Sequence, residues 1–190
     1  MKTFVATKNL GKLAEMREIF AGSPLQLDTF PTYADVAEGD ADYTDNARLK
    51  ARRLFEQLRA ARIRAAVLAD ASGLEVAALG GRPGVLSARY GGTDAAGPAR
   101  RAQLLAEISA QPGDDRAARF VCAMVLLLQD GREIDALGTL DGSIAPQEQG
   151  HFGFGYDPIF IPAGANRTLA EYSEREKNAI SHRRRAAEAL

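Results

Sequence analysis

The chain has 190 residues, enough for one good core or two small lobes sharing one, and its 46% hydrophobic and 26% charged residues are ordinary for a soluble globular protein. A formal net charge of -1 gives no global basic field, which argues against a nucleic acid polymer or an anionic membrane as partner. One cysteine, Cys122, excludes an internal disulfide framework and fits a reducing, cytoplasmic setting; no run approaches the length of a membrane span, and the opening MKTFVATKN lacks the long apolar stretch of a signal peptide.

Residues 2–6 read as a short strand. Thr7, Lys8, Asn9, Leu10, Gly11 and Lys12 then form a polar loop, and residues 12–20 carry apolar Leu13, Met16, Ile19 and Phe20 at helical spacing. A strand, a glycine-containing loop and a helix present backbone N–H groups to an anion. Thr7, Asn9 and Lys12 offer a hydroxyl, an amide and an ammonium to phosphate, although the Walker spacing is absent. A capped helix start with a solvated lysine is the stronger reading on local grounds alone. After a turn at Gly22-Ser23-Pro24, residues 25–30 read as a strand, and residues 31–42 form an acidic loop with Glu38, Asp40 and Asp42. Thr44 is placed to cap a long helix over 45–61. Asn46, Leu49 and Arg53 fall on one side of it, with Lys50 one turn after Asn46.

Residues 65–69 read as a short buried strand that ends at Asp70-Ala71-Ser72-Gly73. A second apolar run covers 74–79, a Gly/Pro loop covers 80–84, and the stretch closes on Ser87-Ala88-Arg89-Tyr90. Acid, hydroxyl, glycine and arginine behind a buried strand suit phosphate and a hard cation. A tight turn with one solvated acid reads equally well. A helix is expected over 95–110, a long strand over 118–129, a hairpin at Asp130-Gly131, and strands over 133–140 and 142–145. Cys122, inside an apolar run, reads as a small buried hydrophobe. The segment 150–160, GHFGFGYDPIF, interleaves aromatics with glycines, as stacking on a flat base requires; a glycine-rich turn into an aromatic core is the plain alternative. Asp157 suits a cap, a basic partner or a base edge. A last helix runs from 174 to the end with Lys177, Ser181, His182 and Arg183, which a solvated basic face also explains. Two histidines in all make a histidine metal site a poor reading. Pattern alone therefore gives an α/β protein with a mixed sheet.

Taken together and in this order, the segments resemble the inosine triphosphate pyrophosphatase family, in its bacterial branch, over nearly the whole chain. ATKNLGK is similar to its first phosphate loop. YTDNARLKAR, preceded by Glu38, is similar to its F-x-E-N-A-x-x-K-A helix, with Tyr43 for Phe and Asp45 for Glu. SGLEVAALGGRPGVLSARYGG, GFGYDPIF and KNAISHR match three further signatures. The resemblance implies an elongated mixed β-sheet split between two lobes with flanking helices and a central nucleotide cleft, as a single two-lobed domain over 1–190. It implies hydrolysis of ITP, dITP or XTP to the monophosphate and pyrophosphate, with Mg²⁺, in a cytoplasmic homodimer. Thr7 to Lys12, Lys50 and Ser72 would hold phosphates, and Glu38 would hold the metal. Phe154 would stack on the purine, with Gly155, Tyr156 and Asp157 lining its pocket, and Lys177, His182 and Arg183 would read the 6-keto group.

One departure stands out. The family has A-D-D-S-G-L where this chain has Ala69-Asp70-Ala71-Ser72-Gly73-Leu74. The position of Ala71 is the family's metal ligand and general base, and an alanine supplies neither oxygen nor basic site; Asp70 is the remaining acid. Either an introduced substitution or natural divergence accounts for it, and the intact remainder of the motif favours the former. The competing readings are a non-catalytic purine nucleotide-binding protein and another α/β phosphohydrolase.

Overall fold

Burial along three long strands sets the architecture. The computed structural model describes residues 1–40, 42–92 and 95–190, so Ala41 of the acidic loop lies outside the described residues. The strands β1 (Lys2–Val5), β2 (Gln26–Asp28), β3 (Ala66–Val76), β4 (Pro83–Gly84), β5 (Ala117–Leu127), β6 (Glu133–Ile144) and β7 (Phe160–Pro162) follow the order β2-β1-β3-β5-β6-β7, with β4 beside β3. β1 pairs in parallel with β2 and β3, whereas β3–β4 and β6–β7 are antiparallel, so the sheet is mixed, as expected. Contacts divide the chain into two compact units. The first is Met1–Ala71, Cys122–Gly138 and His182–Leu190; the second is Ser72–Val121 and Thr139–Ser181.

In the first unit the strands are covered on both faces. Val67, Ala69 and Ala71 of β3 and Ala123, Val125 and Leu127 of β5 meet Ala47, Ala51, Leu54 and Leu58 of α2 (Tyr43–Ala60). The alternate residues Ala66, Leu68, Cys122, Met124 and Leu126 meet α1 (Leu10–Ile19) and Ala186 of α5 (His182–Ala189). Successive side chains on a strand point to opposite faces, so double coverage turns alternation into a continuous apolar run. Each fully buried leucine, such as Leu54 or Leu58, contributes about 1.5–3 kcal/mol. Cys122 is buried here and its thiol pKa is pushed up to about 12, chiefly by desolvation.

In the second unit the same strands are buried on one side. Ala118 and Phe120 pack with Leu74, Leu140 and Ile144 against Leu104 and Ile108 of α3 (Gly97–Ser109), while Ala117 and Arg119 are exposed. The short α4 (Glu174–Ile180) completes this unit.

Five expectations are corrected. β3 is one strand through Asp70–Gly73, not two runs around a break. Gly73 is there for close approach: a Cβ would overlap the Gly84 carbonyl oxygen of β4. The strands expected over 133–140 and 142–145 are one, β6. Asp42, not Thr44, caps α2, its Oδ1 accepting from the backbone of Thr44 and Asp45 at 2.6 and 3.0 Å, and the buried stripe runs through Asn46, Ala47, Lys50, Ala51, Leu54 and Leu58. Leu49 is 41% exposed and Arg53 is exposed, so neither shares the buried side of Asn46. Finally, the last helix is two, interrupted by the extended backbone of Ser181.

Candidate active site

The first unit gathers charge around the middle of β3. Strand alternation sends Asp70 toward α1 and α5, and Ala71 toward α2. Asp70 is fully buried and is met at 3.0 Å by Lys12 Nζ and at 3.2 and 3.1 Å by Arg183 Nε and Nη2. Arg183 also donates through Nη1 to Glu15. Burial alone would raise the Asp70 pKa, but the charges of Lys12, Arg183 and Lys50 overcome it and hold the carboxyl well below its ordinary range. Burial pulls Lys12 down further than Asp70 lifts it. Arg183 is driven the other way: desolvation is outweighed by Asp70 and Glu15.

On the α2 side, Lys50 Nζ donates to the Asp70 carbonyl at 2.8 Å and to Glu38 Oε1 at 2.9 Å. Desolvation of Lys50 is outweighed by Asp70 and Glu38, so its pKa is raised. Asn46, one turn earlier, clamps the loop that carries Glu38: its Oδ1 accepts from Gly39 N at 2.7 Å and its Nδ2 donates to Gly39 O at 2.9 Å. In the loop before α1, Thr7 Oγ1 accepts from Asn9 N and Asn9 Oδ1 accepts from Lys12 N, each at 3.1 Å. Asn9 is thus the N-cap, and the loop opens a helix N-terminus beside Lys12. Lys8 and Leu10 are exposed and Gly11 is partly so.

The second unit gathers a different set. Lys177 Nζ donates to Asp157 Oδ2 at 2.6 Å and stands 4.4 Å from the centroid of the Phe154 ring. The same Asp157 oxygen accepts from Phe154 N at 2.7 Å. Tyr156, buried, donates through its hydroxyl to the Ser87 carbonyl at 2.9 Å, and Ser87 Oγ accepts from Leu74 N at 2.8 Å. The SARY segment therefore braces the aromatic loop from within. Ser72 follows Ala71 in β3 and is partly buried.

Site residues expected to act together fall into two groups. Thr7 to Lys12, Glu38, Lys50, Asp70 and Ala71 belong to the first unit, as do His182 and Arg183, both buried; Phe154 to Asp157, Lys177 and Ser72 belong to the second. Arg183, expected at a purine, has its guanidinium engaged by Asp70 and Glu15. Glu15 was not singled out from the sequence. Its signal was an acid one turn before Ile19 on a helix whose buried side holds both.

A divalent ion needs oxygen ligands. Among the described residues no group of three or more His, Cys, Asp or Glu is placed to hold a metal. Glu38 is answered by Lys50, Asp70 by Lys12 and Arg183, and position 71 is a methyl group. Among the described residues, side chains alone do not assemble a three-ligand site for a resident Mg²⁺.

The model of the Ham1 family matches residues 3–190. A dITP/XTP pyrophosphatase of Oceanobacillus iheyensis is 41% identical, with 100% of this chain and 95% of that protein aligned. One from Mycobacteroides abscessus is 43% identical over 100% of this chain and 93% of its own. The solved HAM1 protein of Coxiella burnetii superposes with a TM-score of 0.87 at 36% identity, covering 99% of this chain and 95% of that one. A full-length family match, relatives above 40% identity and a shared fold together make this chain a member of the Ham1 family.

Proposed function

We propose that the protein hydrolyses non-canonical purine nucleoside triphosphates, dITP, ITP or XTP, to the monophosphate and pyrophosphate, and that Ala71 makes it slow. The observation that carries the reading is the convergence of two lysines, Lys50 buried and Lys12 partly so, on one strand residue. Lys12 reaches the carboxylate of Asp70 and Lys50 its carbonyl, beside a loop that opens the N-terminus of α1. Two ammonium groups and a helix N-terminus are an anion site. The relatives' names, dITP/XTP pyrophosphatase, supply the substrate class and the product of the proposal.

In this reading Thr7 to Lys12, Lys50 and Ser72 hold the triphosphate, and Phe154 stacks on the base with Lys177 as donor to its 6-keto oxygen. An amine at that position, as in adenine, would face a donor and leave it unpaired, which discriminates strongly. Hydrolysis joins a water oxygen to the α-phosphorus and breaks the bond to the bridging oxygen; pyrophosphate leaves and the water gives up a proton. Catalysis of this kind is mostly positioning and charge stabilisation. A methyl at position 71 accepts no proton, so that part of the rate is missing. Mg²⁺ enters as the nucleotide complex, for which one carboxylate, Glu38, with phosphates and waters is a usual set of ligands. A cytoplasmic homodimer forms part of the same proposal. Ala71 also favours a second reading, binding of the nucleotide without turnover.

The assay is turnover of dITP, ITP, XTP and ATP with Mg²⁺, with products resolved by ion-exchange chromatography. Slow release of pyrophosphate from the first three, with ATP spared, is expected. Orthophosphate as the product would overturn the reaction, and tight binding with no turnover would establish the second reading.

A further inference from the structure

We infer that Arg101, on α3, is a positioning residue for purine recognition: it fixes the loop that presents Phe154. The inference rests on the purine-binding reading above and adds a residue to it. Arg101 Nη1 donates to the Gly155 carbonyl at 2.8 Å, and Nη2 donates to Glu148 Oε2 at 2.9 Å. Its Nε lies 2.9 Å from Glu148 Oε1, and the arginine side chain is only 10% exposed. One guanidinium therefore ties together both ends of the segment from Glu148 to Gly155.

The Phe154 ring is only partly buried, so core packing does not fix it. Hydrogen bonds on either side of the residue do. Its own N–H is held by Asp157 Oδ2 at 2.7 Å, and the carbonyl of the next residue is held by Arg101. Gly153 lets the loop close on Asp157, because at φ +73 a Cβ would overlap the Asp157 carboxylate. Asp157 is shared with Lys177, so a shift of the 153–155 backbone moves the stacking surface relative to the proposed 6-keto donor. Only a planar fork makes three contacts at once; a lysine at 101 keeps the charge and loses the geometry.

The test compares the full chain with Arg101→Lys and Glu148→Gln, each checked for folding by its thermal midpoint. Two ligands are titrated by calorimetry: ITP, and tripolyphosphate, which offers the phosphates without the base. Arg101→Lys should weaken ITP about tenfold and leave tripolyphosphate within about twofold, as loss of part of a charge-assisted set implies. Glu148→Gln, at a more exposed position, should give a smaller loss in the same sense. Unchanged ITP affinity in Arg101→Lys, or parallel loss of both ligands, would overturn the inference and leave the purine reading standing. A parent chain that binds tripolyphosphate but not ITP would overturn both.

Discussion

Replacing Ala71 by aspartate tests the proposed chemistry and has a structural cost that can be reasoned through. The side chain at 71 is 3% exposed and points with Val67 and Ala69 toward α2. A carboxylate placed there without a partner would cost several kcal/mol. Lys50, anchored at 2.8 Å on the adjacent Asp70 carbonyl and already bonded to Glu38, recovers part of this. The net loss in the unliganded protein should be about 2 kcal/mol, or roughly 4–8 °C in the thermal midpoint for a chain of this size. The gain is a proton acceptor and one more oxygen ligand. A positioned general base contributes about 10²–10⁴-fold, or ~3–5 kcal/mol of barrier. The variant should therefore be less stable when free, recover stability with Mg²⁺ and ITP, and release pyrophosphate at least about a hundredfold faster than the parent. Thermal shift with and without ligand, and a coupled pyrophosphate assay, read the two effects separately. Ala71→Asn is the control of equal shape, with neither charge nor basicity. A folded, ITP-binding Ala71→Asp no faster than Ala71→Asn would refute the assignment of position 71.

Two further predictions concern stability. Asp70→Asn leaves the partly buried Lys12 and the buried Arg183 with less compensation and should cost about 3–5 kcal/mol at neutral pH by denaturant unfolding. Because the folded pKa of Asp70 is depressed, its contribution is full above the unfolded carboxylate pKa and is lost as pH falls below it, so the variant should lose less than the parent between pH 4 and lower pH; parallel acid profiles would contradict this. Gly73→Ala drives a methyl into the Gly84 carbonyl, and the overpacking should cost about 1–3 kcal/mol, or roughly 2–12 °C of thermal midpoint; an unchanged midpoint would mean that β4 yields freely.

Where a feature was local, the sequence showed it. A capped helix start in the 7–12 loop was legible, though the helix begins at Leu10 with Asn9 as its cap and not at residue 12, and β5 follows from its uninterrupted apolar residues. Where an outcome depended on partners far along the chain, composition misled. Asp70-Ala71-Ser72-Gly73 has the residues of a turn, yet it is the middle of a strand. Asp70 is tolerated there because Lys12 and Arg183, 58 and 113 residues away in sequence, neutralise it. No local signal announces Arg183 and Glu15 as partners, since they are separated by 168 residues. The cap of α2 was misplaced for a different reason. Thr44 and Asp42 are both good caps, and the choice fell to the carboxylate that reaches two backbone N–H groups. The purine end was half legible: the aromatic–glycine loop could be read as a stacking surface, while the arginine that ties it sits on α3, one turn ahead of the buried Leu104, and no motif marks it.

The charges of the first unit explain why an alanine is tolerated at position 71. Around Asp70 stand three cations, Lys12, Lys50 and Arg183, and three acids, Glu15, Glu38 and Asp70 itself, joined by the hydrogen bonds and ion pairs already described. With a methyl group at 71 the side-chain charges of this cluster balance and leave no excess negative charge for a cation, in keeping with its lack of a three-ligand metal group among the described residues. A second aspartate would leave one negative charge in a buried site, where charge is expensive. A divalent cation arriving with a triphosphate would then be matched by acids that the lysines no longer satisfy. The same substitution that supplies a base thus creates the demand for the metal. For that reason the Mg²⁺ dependence of the thermal midpoint, and not only the rate, should separate Ala71→Asp from the parent chain.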